Sequence, residues 1–197
     1  MTPVGAPDAL PTAFFERPAV EVARDLLGCS LMSACRGAIS GGVIVETEAY
    51  TGPDDPACHA AARIGRTSRN EPLYGPPGTA YVHMNYGIHW LLNTVTGPAG
   101  YPAGVLFRAI EPTHGLESMR ERRGREALTN GPARLAQALA VGPEVQGHRL
   151  DAPPVWLVRG EPVPDEHVEV TARIGISRAV ERPLRFYDRR SRWVSRR

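Results

Sequence analysis

Two periods alternate along the chain. Val20, Ala23, Leu26 and Leu27 recur at helical spacing behind Pro18, and Gly28 offers a left-handed terminator, so the pattern predicts a helix over about 18–27. Beyond it, SLMSACR, GGVIVETEAY, TAYVHMNY, IHWLLNTV and AGVLFRAIEP are short runs rich in β-branched and aromatic residues, separated by Gly or Pro. They predict strands, mostly antiparallel, because the gaps between them are too short for crossover helices. Helical spacing returns over Gly115–Glu126 and again after Asn130, through Ala133, Leu135, Leu139 and Val141. Two further strands are expected around Val155–Val158 and Val168–Ile174. The sum is an α+β fold in one domain spanning 1–197, with no repeat or low-complexity tract to divide it. Residues 1–12 and 194–197 are expected to fray.

Charge changes this picture through its make-up. The net charge is +2, yet all 23 basic residues are arginine and the sequence contains no lysine. Arg63, Arg66 and Arg69 fall in one loop, Arg120, Arg122, Arg123 and Arg125 in another stretch, and Arg185, Arg189, Arg190, Arg192, Arg196 and Arg197 at the C-terminus. Guanidinium forks suit phosphate oxygens. For the middle cluster a solvated face balanced by Glu117, Glu121 and Glu126 is an equal reading. The last cluster, which Asp188 alone offsets, reads as a nucleic-acid contact. No apolar run approaches the ~20 residues of a membrane helix, and the N-terminus has no signal-like pattern, so a spanning or secreted protein is disfavoured. Cys29, Cys35 and Cys58 form no spaced pair and are expected as reduced thiols in a cytoplasmic protein.

Candidate chemistry concentrates on the strands. In an extended VETEAY, Glu46, Glu48 and Tyr50 share one face. Periodicity by itself favours a solvent-exposed edge with ordinary surface glutamates; burial of both would require that something use or pair them. In Ala80–Thr94, Tyr81, His83 and Asn85 share a face, Tyr86–Gly87 is a turn candidate, and His89, Leu91 and Asn93 share a face of the return strand. Met84, Trp90 and Leu92 read as core. Tyr86 at a tip could wedge between bases or pack on the sheet edge. Arg108 lies within the apolar run Val105–Ile110 and needs a partner, with Glu46, Glu48 and Glu111 available. A zinc site from Cys58, His59, His83 and His89 is disfavoured, because adjacent Cys58–His59 is not a chelating spacing.

Taken together, FFERPAVEVARDLLG, VETEAYTGPDDPACHAA, PPGTAYVHMNYGIHWLLN, VLFRAIEP, LTNGPARLAQAL and RPLRFYDRRSRWVS resemble the alkyladenine (3-methyladenine) DNA glycosylase family, from about Phe14 to Ser195 and in one order. The resemblance implies a curved, mostly antiparallel sheet with flanking helices and a protruding β-hairpin, similar to a formyltransferase C-terminal domain. It also implies hydrolytic removal of alkylated or deaminated purines from double-stranded DNA, by a monomer without cofactor or metal.

Carried over residue by residue, the resemblance makes Glu48 the base that activates water, with Arg108 and the backbone carbonyl near Ile174 holding that water. Tyr50, His59 and His83 would line the purine pocket, and Asn93 would exclude the 2-amino group of guanine. Tyr86 would fill the space left by the flipped nucleotide. Arg66, Ser68, Arg69, Ile88 and His89 would contact DNA. At His83 this chain departs from the human relative, which has tyrosine there. The absence of lysine removes the usual Schiff-base amine, so an intact abasic site is the expected product. A silent lesion-binding or RNA-binding module of the same fold is the alternative.

Overall fold

Antiparallel pairing of neighbouring runs builds the sheet that the alternating pattern suggested. In the computed structural model, which describes residues 8–58 and 62–196, the strands are β1 (Ser30–Ser33), β2 (Ser40–Tyr50), β3 (Ala80–Asn85), β4 (His89–Thr96), β5 (Ala103–His114), β6 (Asp151–Ala152), β7 (Val155–Val158), β8 (Val168–Thr171) and β9 (Arg185–Asp188). Their order is β3-β4-β5-β2-β1-β7-β6, with β9 joined to both β2 and β8. The helices are α1 (Thr12–Phe15), α2 (Ala19–Asp25), α3 (Leu116–Arg123) and α4 (Pro132–Ala138). The whole is an α+β domain around one curled antiparallel sheet.

Strand β2 occupies the middle of this sheet. Along one edge it pairs with β5; along the other, residues 40–43 pair with β1 and 46–48 with β9. No free edge remains at VETEAY, so the exposed-edge reading of Glu46 and Glu48 is wrong: both are 0% exposed. On the opposite face Thr47 donates through Oγ1 to the Ala23 carbonyl (2.7 Å), which ties α2 to the strand. There Val22, Ala23, Leu26 and Leu27 join Ile44, Phe107, Ile110, Leu135, Leu139 and Phe186 in the core. Burying each large side chain stabilises by about 1.5–3 kcal/mol.

Several expectations are corrected by this packing. Met84 is exposed on the hairpin instead of in the core, whereas Leu92 is fully buried and Trp90 packs against the core. The ends are held at points where fraying was expected. Leu10 is buried and donates its N–H to Leu157, Val194 is buried, and Ser195 is bonded to Glu46. Part of the basic C-terminus is interior, because Arg185 sits on β9 with its guanidinium on Glu46. The expected strand through Ile174 ends at Thr171, and the three residues that leave it carry Arg173 and Ile174 away from the ladder.

Candidate active site

Register across the sheet assembles the site. Tyr81 pairs with Asn93, Asn93 with Leu106, Leu106 with Glu48, and Glu48 with Arg185, so these residues form one row on one face. Glu48 and Asn93, two strands apart, are separated by about 10 Å of backbone spacing. Between β2 and β5 the ladder slips twice in succession, leaving Val45 and Arg108 without cross-strand partners. Such a bulge re-aims a side chain. Here it lets Arg108 reach both glutamates: Nε donates to Glu46 Oε1 at 2.9 Å, and Nη1 lies 3.2 Å from Glu48 Oε1.

The two glutamates are served differently. Glu46 accepts from Arg108, from Arg185 Nε at 2.7 Å, and from Ser195 through N–H (2.6 Å) and Oγ (2.8 Å). Its carboxylate is saturated and anchors the C-terminal arm. Glu48 accepts from the Ile174 N–H at 2.7 Å and from the Tyr50 hydroxyl at 3.0 Å, besides the shared Arg108. Burial pushes the Glu48 carboxyl above its ordinary pKa, against the opposing pull of Arg108, the Ile174 N–H and Tyr50. Burial and the neighbouring Glu48 raise the Tyr50 hydroxyl, so it remains a donor. The Ile174 contact with Glu48 thus runs through the N–H.

On the hairpin, Asn93 donates through Nδ2 to the Tyr81 carbonyl (3.1 Å) and lies 3.2 Å from His83 Nδ1, while the His83 ring stacks on Tyr81 at 5.3 Å. Burial drives His83 down to about 4, so the ring is neutral at physiological pH. An acceptor Nδ1 leaves the proton on Nε2, a donor available to a bound group. His59 lies outside the described residues.

Other expected contacts are spread over the surface. Tyr86 is 85% exposed at the hairpin tip, and Ile88, His89, Ser68 and Arg69 are exposed as well. Asn85 accepts from the Ile88 N–H across the turn, in which Tyr86 and Gly87 both have positive φ, +51° and +72°. A tyrosine in that conformation is unfavourable, and a following glycine eases the same demand. Arg66 is engaged with Glu71 and lies over the Tyr74 ring.

Sequence reasoning missed Arg173 and Asp55. Arg173 Nη2 donates to Asp55 Oδ1 at 2.8 Å and Nη1 to the Ala49 carbonyl at 2.9 Å, with the guanidinium 4.7 Å from the Tyr50 ring centre. Both side chains are fully buried. Burial opposes the charge on Asp55, yet Arg173 holds its carboxyl below the ordinary value. The pair backs Tyr50 and fixes the segment that presents the Ile174 N–H. The GPDD run after β2 carried no signal for this, because the arginine arrives from 118 residues away.

Beside this cluster a cavity of about 290 Å³ is lined by Arg108, Asn130–Arg134, Ile174, Ser195 and Arg196. Buried carboxylate, guanidinium and directed N–H at the edge of a cavity form a site able to hold a water against a reacting carbon. The sequence profile described as Methylpurine-DNA glycosylase (MPG) matches residues 13–192. The chain belongs to that family. Members it resembles include proteins named "Putative 3-methyladenine DNA glycosylase" from Salinibacter ruber, at 48% identity over 95% of this chain and 97% of the relative, and from Carboxydothermus hydrogenoformans, at 44% over 95% and 98%. A relative of the same name from Methanoculleus marisnigri is 43% identical over 95% and 99%. The match to the methylpurine-DNA glycosylase family spans both the β2–β5 cluster and the hairpin, and it stops just short of Ser195 and Arg196.

Proposed function

We propose that this chain is a base-excision-repair DNA glycosylase that flips alkylated or deaminated purines out of duplex DNA and hydrolyses their N-glycosidic bond. The substrates are those of its family resemblance: 3-methyladenine, 7-methylguanine, ethenoadenine and hypoxanthine. The observation that carries the reading is Glu48, wholly buried, held by Arg108, the Ile174 N–H and Tyr50 beside a cavity. A purine in the duplex hides its glycosidic bond, and extrusion costs a few kcal/mol, less for a damaged, poorly paired base. Tyr86 fills the vacated space. Tyr50, His59 and His83 stack on and hydrogen-bond the base, and Asn93 excludes a 2-amino group.

Glu48 then takes a proton from water as its oxygen bonds to the anomeric carbon. The C–N bond breaks, and its electron pair leaves with the purine. Developing positive charge on the sugar is stabilised by the same carboxylate. An alkylated, cationic purine departs neutral; hypoxanthine must gain a proton as it leaves. Arg66, Ser68, Arg69, Ile88 and His89 contact the duplex, with Arg66 exchanging Glu71 for phosphate. The enzyme acts as a cytoplasmic monomer on nucleoid DNA.

Base release from lesion duplexes, measured for wild type beside Glu48→Gln, tests the assignment. Wild type should release the base, and Glu48→Gln should lose ~10²–10⁴-fold in rate, the usual contribution of a general base, while still binding the lesion. Lesion binding without release by wild type would make the chain a silent recognition module.

A further inference from the structure

The arginine-rich stretch in and after α3 divides by destination. Arg122 turns inward, donating to Ser40 Oγ and to the Ala138 and Cys35 carbonyls. Arg123 donates to the Ala127 carbonyl and to the Gln137 side chain. Arg125 and Arg134 are exposed, and Arg134 bonds to Asn130 through its carbonyl and side chain. Together with His89 and Gln137, Arg123, Arg125 and Arg134 line an open cleft of about 420 Å³.

Among the described residues, no carboxylate lines that cleft and none of the three guanidiniums forms an ion pair. Burial, then the charges of Arg134 and Arg125, hold Arg123 below its ordinary pKa. Like charges gathered without a counter-charge repel, and an anion seated among them would relieve that repulsion. The cleft shares Ala133 and Arg134 with the cavity beside Arg108 and Ile174. At its other end it reaches His89, the first residue of β4 and close in sequence to the exposed Tyr86. A basic strip therefore links the turn end of the hairpin to the cavity lined by the Glu48 partners Arg108 and Ile174.

We propose that this strip is a phosphate track, with Arg123, Arg125 and Arg134 binding the backbone of the DNA strand that flanks the extruded nucleotide. The proposal rests on the glycosylase reading. Guanidinium forks match phosphodiester oxygens and carry no base preference, which suits an enzyme that must hold any sequence around a lesion. Contacts between the hairpin and the cavity fix register, so that Tyr86 and Glu48 address the same nucleotide.

The experiment is equilibrium binding of an undamaged duplex across a salt series, comparing wild type, Arg125→Gln/Arg134→Gln, and the control Arg36→Gln/Arg159→Gln. The control removes equal charge from exposed positions after β1 and β7, strands on the far side of β2 from the hairpin. Each lost phosphate contact lowers the slope of log K against log salt by about 0.9. The track variant should flatten the slope by about 1.8 and the control should keep the wild-type slope. Equal slopes for the track variant and control would overturn the track, and would do so alone if wild type still releases bases from lesion duplexes. Wild type that neither binds duplex nor releases a base would overturn the glycosylase reading and the track together.

Discussion

Glu46 and Glu48 stand two residues apart on one buried face, and their neighbours divide the work between them. Glu46 faces two guanidiniums and the Ser195 N–H and hydroxyl, so Glu46→Gln leaves buried cations short of counter-charge. Breaking a buried pair in this way costs about 3–5 kcal/mol. Glu48 behaves oppositely: its folded pKa is raised, so its charged form is the costlier one in the folded state at neutral pH. Thermal unfolding should show Glu46→Gln markedly destabilised and Glu48→Gln as stable as wild type or more so. With Glu48 as the proposed general base, the same raised pKa should set the acid limb of kcat. Activity should rise with pH through a value above the ordinary glutamate range, and Arg108→Met, which removes the cation opposing the shift, should move that limb higher still. A pH–rate profile of both proteins checks this. His83, whose folded pKa is about 4 against an ordinary 6.5, contributes stability that is present above 6.5 and is lost as pH falls toward 4. Denaturant titrations of His83→Phe over that window should show a shallower loss than wild type.

The β3–β4 hairpin combines two environments in one element. At its base Tyr81, His83 and Asn93 are hydrogen-bonded or stacked. Its tip presents Met84, Tyr86 and Ile88 to solvent, three large apolar or aromatic side chains that a freestanding turn has no reason to expose. The wedge role proposed for Tyr86 would account for both its exposure and its positive φ. Tyr86→Ala should therefore slow release from a well-paired lesion duplex by roughly 10–100-fold, a share of the few kcal/mol that extrusion costs. A mispaired lesion, already partly unstacked, should lose less, which kcat/KM on the two duplexes will reveal. The β2–β5 pair shows the same economy, since one irregular stretch of ladder frees Arg108 to bridge both carboxylates.

Across the whole molecule, residues far apart in the chain meet within one sheet: Glu48 on β2 receives Ile174, and Glu46 receives Arg185 and Ser195. One global property, the absence of lysine, leaves no ε-amine for a Schiff base. Duplexes incubated with the enzyme should thus show no strand breakage until alkali is added, as read on a denaturing gel. Period-two runs bounded by Gly and Pro made β1–β5 and β7 legible, and the Pro18–Gly28 pattern placed α2, because these signals are local. Faces were legible too, since alternation obliges Glu46, Glu48 and Tyr50 to project together, and likewise Tyr81 with His83. What covers a face is not local. Whether VETEAY lay at an edge depended on β9, a strand hidden in an arginine-rich tail whose charge read as solvent-facing. Long-range pairing also decided that Arg185 and Arg173 are interior ion-pair partners, that Arg122 turns inward, and that Arg125 and Arg134 stay in a cleft. Composition counts charges; only tertiary packing sets the dielectric and the counter-charge each one meets, and those determine whether a guanidinium holds the fold together or awaits a phosphate.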